Sequence, residues 1–112
     1  MSYWNGTFFI LHSLMASTLT LILTVSRQSQ KYEEFLQKLF FYKDKGHQIY
    51  IFCLDEGVRE IKSLLATSKD LHIFACAYAI QSRNLSPIES VCYGGLGLLA
   101  DLIVHSDKTE SF

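Results

Sequence analysis

The feature that most constrains the fold is an uninterrupted apolar run at residues 49–54, with the sequence IYIFCL. A strand with one face in water alternates apolar and polar residues, whereas a strand covered on both faces is apolar throughout. The run therefore predicts a central strand of a parallel sheet. Cys53 lies inside this run and is interpreted as a core residue.

The segments around this strand alternate between strand and helix patterns. Residues 31–45 place apolar side chains at the three-and-four spacing of an amphipathic helix, and Gly46 follows where a glycine ends such a helix. Further strands are predicted at residues 19–25, 73–75, 91–93 and 107–112, and further helices at residues 58–65, 77–83 and 98–106. This alternation predicts an open α/β sheet with helices on both faces.

Length, charge and cysteine content narrow the function classes. At 112 residues, of which 49% are apolar, the chain is expected to form one folded domain. Its 10 basic and 11 acidic residues nearly cancel, so no general attraction to nucleic acid or to an anionic membrane is expected. Three cysteines without a C-x-x-C pair favour a reducing compartment, the cytoplasm. The four histidines lack metal-ligand spacing, and neither a metal nor an organic cofactor is predicted.

The first 26 residues contain no charged side chain, and much of this segment is apolar. A secretory signal would carry a positive charge before its apolar run and a clear small-residue cleavage site after it. Asn5 and His12 interrupt the segment, which argues against a membrane span although its length would suffice. We therefore interpret residues 1–18 as an N-terminal apolar extension of a domain over residues 19–112. A membrane or partner anchor is the alternative.

Cys76 lies where a predicted strand gives way to a predicted helix. A helix start presents unpaired backbone N–H groups and the positive end of the helix dipole. Such groups favour the thiolate, which is the reactive form of cysteine. The position predicts a nucleophilic or sulfur-carrying Cys76, with the backbone amides of Ala77 and Tyr78 stabilising the anion. The alternative is that Cys76 is an ordinary buried apolar residue.

Other residues are expected near Cys76 because reactive groups in open α/β sheets gather beyond the carboxyl ends of the strands. The loops at residues 26–30 and 55–57 are predicted to lie at this edge. Gly94, Gly95 and Gly97 follow a predicted strand as well. They either present N–H groups to an anion and shape a pocket, or only permit a tight turn.

Cys92 and His72 have competing interpretations. Cys92 lies near the same edge and either resolves an oxidised Cys76 or serves as packing. His72 begins the strand that Cys76 follows, which favours a partly exposed strand-end histidine over a general base.

Several short segments together resemble the DsrE/DsrF-like family. They are residues 52–58 (FCLDEGV), residues 75–76 (AC) with 83–85 (RNL), residues 94–97 (GGLG) with 101–102 (DL), and the closing residues 106–112. The similarity runs from about residue 19 to residue 112. It implies a three-layer α/β fold of flavodoxin-like type, with an open, mostly parallel five-stranded sheet. Cys76 aligns with the cysteine that carries sulfur as a persulfide in active members, and Asn84 stands where the family usually has glycine.

The resemblance also implies assembly into trimers or hexamers, as homo- or hetero-oligomers. Together with the position of Cys76, it predicts a sulfur-relay subunit with sulfurtransferase activity. In this reading Cys76 accepts sulfane sulfur from a donor protein and passes it to an acceptor protein. The alternative is a non-catalytic assembly subunit or a small-ligand-binding module of the same fold, in which Cys76 is inert.

Overall fold

Five parallel strands form one sheet, and helices cover both of its faces. The computed structural model describes residues 17–112. The strands are β1 (Thr18–Leu23), β2 (Gln48–Cys53), β3 (His72–Cys76), β4 (Cys92–Gly94) and β5 (Lys108–Ser111). The helices are α1 (Gln30–Asp44), α2 (Ile61–Thr67), α3 (Ala77–Ser82) and α4 (Leu96–Val104), with a 3₁₀ helix at Asp55–Glu60. The predicted fold class is confirmed, and the sheet is fully parallel.

The predicted extension over residues 1–18 lies almost entirely outside the described residues. The first described strand, β1, begins at Thr18, one residue before the predicted first residue of the domain. Among residues 17–112, no helix combines the length and the apolar character needed to cross a membrane.

The strand order is β4-β3-β2-β1-β5. The three connections from β1 to β4 all step in one direction, and the connection from β4 to β5 returns in the other. Because parallel crossovers are right-handed, α1, α2 and α3 lie on one face of the sheet and α4 lies on the opposite face. Thr20 of β1 agrees with this placement, since its hydroxyl donates to the Leu102 carbonyl of α4 at 3.4 Å. We call the two sides the core face and the α4 face.

The core face carries the main hydrophobic core. Alternate residues of the three central strands point to it, and α1 adds Phe35 and Leu39, all of them buried. The Phe35 ring meets the ring of Phe112 edge to face, with centroids 5.6 Å apart. Helix α1 ends as predicted, because Gly46 adopts a φ of +83° that a side chain would strain.

The chain between β2 and α2 differs from the prediction. A single helix was expected after a break at residues 55–57, but the break itself is helical and forms the 3₁₀ turn at Asp55–Glu60. The turn is tight because Gly57 packs against the carboxyl end of β1. A Cβ atom at this position would lie 2.0 Å from the Leu23 carbonyl oxygen.

Strand β5 forms one edge of the sheet and is only half-buried. It pairs in parallel with β1. Its Glu110 carboxylate is bound by the hydroxyl of Tyr42 and by the ammonium groups of Lys38 and Lys108. This network accounts for a polar strand at a position where a buried one would be apolar.

Candidate functional site

The carboxyl ends of β1, β2, β3 and β4 meet at one edge of the sheet, where the predicted loops were expected to gather. In the register of the sheet, Leu23 pairs with Cys53, and Cys76 pairs with Gly94. The Leu54 amide donates to the Leu23 carbonyl at 2.8 Å, so the loops after β1 and β2 are joined at this edge. The structure therefore places Cys76, the 3₁₀ turn and the glycine-rich turn on the same edge.

Cys76 is both the last residue of β3 and the N-cap residue of α3. Its backbone is extended, with φ −73° and ψ 118°, and its side chain makes no capping hydrogen bond. The residue is half-buried and contacts the rim of the core. Ala77 and Tyr78, the next two residues, are exposed. The thiol thus lies between the core and solvent, at the start of a short helix.

The glycine-rich turn borders Cys76 on the β4 side. Gly94 ends β4, and a Cβ atom there would lie 2.7 Å from a methyl carbon of Leu98. Gly95 caps α4, and its carbonyl accepts hydrogen bonds from the Leu98 and Leu99 amides. A Cβ atom at Gly95 or Gly97 would meet no atom within 4 Å. Close packing therefore requires glycine at Gly94 alone.

The other two cysteines differ from Cys76 in their surroundings. Cys53 is fully buried on the core face, and burial, with the nearby Glu60 carboxylate as a second cause, raises the pKa of its thiol to about 12. It therefore remains a protonated thiol, as the core interpretation predicted. Cys92 begins β4, is exposed and pairs with Phe74. Its Cα partner is thus two residues before Cys76 on β3.

His72 lies at the opposite end of β3 from Cys76, as predicted. It pairs with Tyr50 in the register of the sheet, and the two rings pack with centroids 5.1 Å apart. Its position separates it from the carboxyl edge by the length of the strand. The structure does not bring His72 together with Cys76.

Two ion-pair groups at the carboxyl edge were not found from the sequence. In the first, Glu56 of the 3₁₀ turn accepts hydrogen bonds from Arg59 and Arg83, each at 2.7 Å. The Arg83 bond, followed by the Arg59 bond, lowers the pKa of the Glu56 carboxyl. The i, i+3 spacing of Glu56 and Arg59 is visible in the sequence, but the contact with Arg83 depends on the fold.

In the second group, Glu60 is buried and is held by Arg27 from the loop after β1. Arg27 donates from its backbone N–H at 3.0 Å and from its guanidinium at 2.8 and 3.0 Å. Burial raises the pKa of Glu60, but the hydrogen bonds of Arg27 outweigh this effect, and the pKa is lowered overall. This pair ties the loop after β1 to the 3₁₀ turn.

A cavity of about 420 Å³ lies next to the site, between α2 and the segment that joins α3 to β4. Its wall includes the polar side chains of Arg59, Lys62, Asn84 and Tyr93. Asn84 has a φ of +55°, the left-handed conformation that asparagine tolerates in place of glycine. Cys76 does not line this cavity.

Comparisons with known proteins support the fold. No family model matches the sequence, and no curated protein matches it. Among solved structures, the crystal structure of the YchN protein from E. coli, which has a DsrE/DsrF-like fold, is similar to this chain with a TM-score of 0.69. The alignment covers 88% of this chain and 100% of YchN, at 15% sequence identity. At this identity the likeness shows the shared fold alone.

Proposed function

We propose that this chain is a DsrE/DsrF-like sulfur-relay subunit in which Cys76 carries sulfane sulfur. The observation that carries the proposal is the placement of Cys76 at the carboxyl edge of a parallel sheet, half-buried and followed by two exposed residues. Reactive groups of open α/β folds gather at this edge. The fold shared with YchN adds support, as does the sequence resemblance, which implies that Cys76 takes the place of the sulfur-carrying cysteine of the family.

The proposed chemistry follows thiol–disulfide exchange. The Cys76 thiolate attacks the outer sulfur of a donor persulfide, forms a new S–S bond and releases the donor as a thiolate. An acceptor thiolate then takes the outer sulfur and regenerates the Cys76 thiolate. In this scheme the Ala77 and Tyr78 amides face the sulfur anion, and Gly94, Gly95 and Gly97 shape the pocket beside it. The partners are donor and acceptor proteins, and the expected setting is a reducing one, the cytoplasm.

Mass spectrometry after incubation with cysteine persulfide tests this function. We expect the mass of one added sulfur atom on the peptide that contains Cys76, and reduction should remove it. Cys76→Ser should lose this adduct while it keeps the wild-type melting temperature. Cys53 serves as the internal control, since its buried thiol should stay unmodified in the native protein. A Cys76 peptide that gains no sulfur at any time point, in a protein whose other thiols react, would refute the proposal.

A second candidate function, a non-catalytic assembly subunit, is favoured by the surface of α4. No residue of this helix is buried, although its sequence, LGLLADLIV, is almost wholly apolar. Leu96 is 73% exposed and Val104 is 78% exposed. Exposed apolar side chains on one helix are typical of an interaction site when they form a patch. We propose that the exposed side of helix α4 packs against other copies of the chain or related subunits, in the trimers or hexamers that the resemblance implies.

Sedimentation of Val104→Glu tests the assembly. A charge on the proposed interface should shift the oligomer toward the monomer, whereas Gln81→Glu, an equal charge change on exposed α3, should not. Alkylation then separates the two functions. A relay subunit should be labelled at Cys76 in its native state, whereas a purely structural subunit should resist labelling until it unfolds.

A further inference from the structure

The two accessible cysteines occupy neighbouring strands of one sheet. Strands β3 and β4 are parallel, with Phe74 paired to Cys92 and Cys76 paired to Gly94. Side chains two residues apart on a strand point to the same face. Cys76 and Phe74 therefore share a face with Cys92, and the two cysteines are diagonal neighbours on the α4 face.

The diagonal spacing is too long for a disulfide. Strands about 4.8 Å apart and a rise of about 3.3 Å per residue place the two Cα atoms about 8 Å apart. A disulfide needs Cα atoms within about 7 Å and an S–S bond of about 2 Å. Cys76 and Cys92 therefore do not form a direct bond without movement of the backbone.

One additional sulfur atom bridges the distance that is too long for a disulfide between Cys76 and Cys92. A persulfide on Cys76 extends that side chain by an S–S bond of about 2 Å. In a transfer, the two cysteine sulfurs lie on either side of the moving sulfur, so their separation is about twice that of a disulfide. The register therefore suits the transfer of a sulfur atom better than the closure of a disulfide.

The difference in exposure between the two cysteines indicates that sulfur moves from Cys76 to Cys92. Cys76 is half-buried, whereas Cys92 is exposed on β4, the strand at the edge of the sheet. An edge strand is open to pairing with another chain. Sulfur that moves from Cys76 to Cys92 would move from the rim of the core to a surface that an acceptor protein can reach.

We propose that Cys92 is the second sulfur-carrying residue, which takes sulfane sulfur from Cys76 and presents it to the acceptor. The Cys92 thiolate attacks the outer sulfur of the Cys76 persulfide, the Cys92–sulfur bond forms, and the bond to Cys76 breaks to release the Cys76 thiolate. The proton of the persulfide stays on the transferred sulfur, and no further oxidant or reductant is required. This inference rests on the proposed loading of Cys76.

Time-resolved peptide mass spectrometry with a limiting amount of cysteine persulfide tests the transfer. In the wild type, added sulfur should appear first on the Cys76 peptide and then on the Cys92 peptide, at a rate independent of protein concentration. In Cys92→Ser, the sulfur should stay on Cys76. In Cys76→Ser, the loading of Cys92 should slow by about tenfold or more, because the intramolecular route is lost.

A displaced cysteine provides the matched control. Cys92→Ser combined with Ser90→Cys moves the thiol two residues back into an exposed turn, outside the diagonal position. This variant should keep the sulfur on Cys76. The inference would be overturned if Cys92 loads at the same rate with and without Cys76, or if sulfur passes equally well to the displaced cysteine in the Ser90→Cys variant. Either result would leave the proposed loading of Cys76 standing. A Cys76 that never takes up sulfur would overturn the proposed function and this inference with it.

Discussion

Replacement of Gly57 by alanine should destabilise the domain more than the same replacement at any other described glycine. The new Cβ atom would lie 2.0 Å from the Leu23 carbonyl oxygen and 2.7 Å from the Leu23 carbonyl carbon, whereas ordinary contact begins at 3.4 Å. Both obstructing atoms belong to the backbone of β1, so no rotamer change can relieve the clash. The 3₁₀ turn has to shift by about 1.4 Å.

The expected cost has two parts. Overpacking against a rigid neighbour costs about 3 kcal/mol, the upper end of the usual range. A shifted turn also weakens the hydrogen bond from the Leu54 amide to the Leu23 carbonyl, now 2.8 Å long, which adds about 1 kcal/mol. The sum corresponds to a fall in melting temperature of about 15 °C or more for a domain of this size.

Thermal and urea unfolding followed by circular dichroism would measure the effect. Gly97→Ala is the matched control, since a Cβ atom there meets nothing within 4 Å and the position lies inside α4. It should melt at or above the wild-type temperature, because alanine is the better helix former, although the gain in the first turn is smaller than the value of about 1 kcal/mol for a helix interior. A Gly57→Ala protein that melts within about 2 °C of the wild type would refute the packing argument.

Three further predictions follow from the core, the buried ion pair and the cysteines. Phe35→Ala should reduce the free energy of unfolding by about 3–5 kcal/mol, measured by urea denaturation, because Phe35 is fully buried and packs on Phe112. A loss below about 1 kcal/mol would contradict this core assignment. The pKa of Glu60 is lowered in the folded state, so its ionised carboxylate stabilises the fold at any pH above the ordinary pKa of glutamate. This contribution to the free energy of unfolding is lost as the pH falls through the lowered pKa. Melting curves against pH should show this loss, and Arg27→Ala should flatten it and lower the melting temperature near neutral pH, because the buried Glu60 carboxylate loses its partner. An unchanged pH dependence in Arg27→Ala would count against the pair. Alkylation of the native protein should label Cys76 and Cys92 but reach Cys53 only on unfolding, and early labelling of Cys53 would contradict its burial.

The parts of the fold that the sequence predicts are those governed by local patterns. The apolar run of β2 predicts a strand covered on both faces, and Ile51, Phe52 and Cys53 are indeed fully buried. The amphipathic spacing predicts α1, and Gly46 predicts its end within a residue or two. In these segments a single backbone period, or one glycine with a positive φ, determines the outcome.

The parts that the sequence does not predict depend on contacts between distant segments. Residues 55–57 suggest a break in the chain, and only the approach of Gly57 to β1 makes this break a 3₁₀ turn. Glu60 falls within a polar, helical segment, and its burial depends on Arg27 arriving from 33 positions away. Arg83 is seven residues beyond Cys76, and its bond to Glu56 requires the 3₁₀ turn after β2 to meet the end of α3. The spacing of residues within one segment does not predict contacts between segments that are far apart in the sequence.

The candidate site shows how strongly chemistry can depend on the face of a strand. Cys53 and Cys76 end neighbouring strands, and Cys53 pairs with Ala75, the residue just before Cys76. Because side chains alternate between faces, that single step buries the Cys53 thiol within the core, whereas the half-buried Cys76 contacts the core only at its rim. Burial then keeps Cys53 protonated, with its pKa raised to about 12, while Cys76 reaches the carboxyl edge and the face it shares with Cys92. A slip of β3 by one residue would turn Cys76 toward the core face and leave Cys53 buried, so the proposed relay depends on the register of β3 against β2.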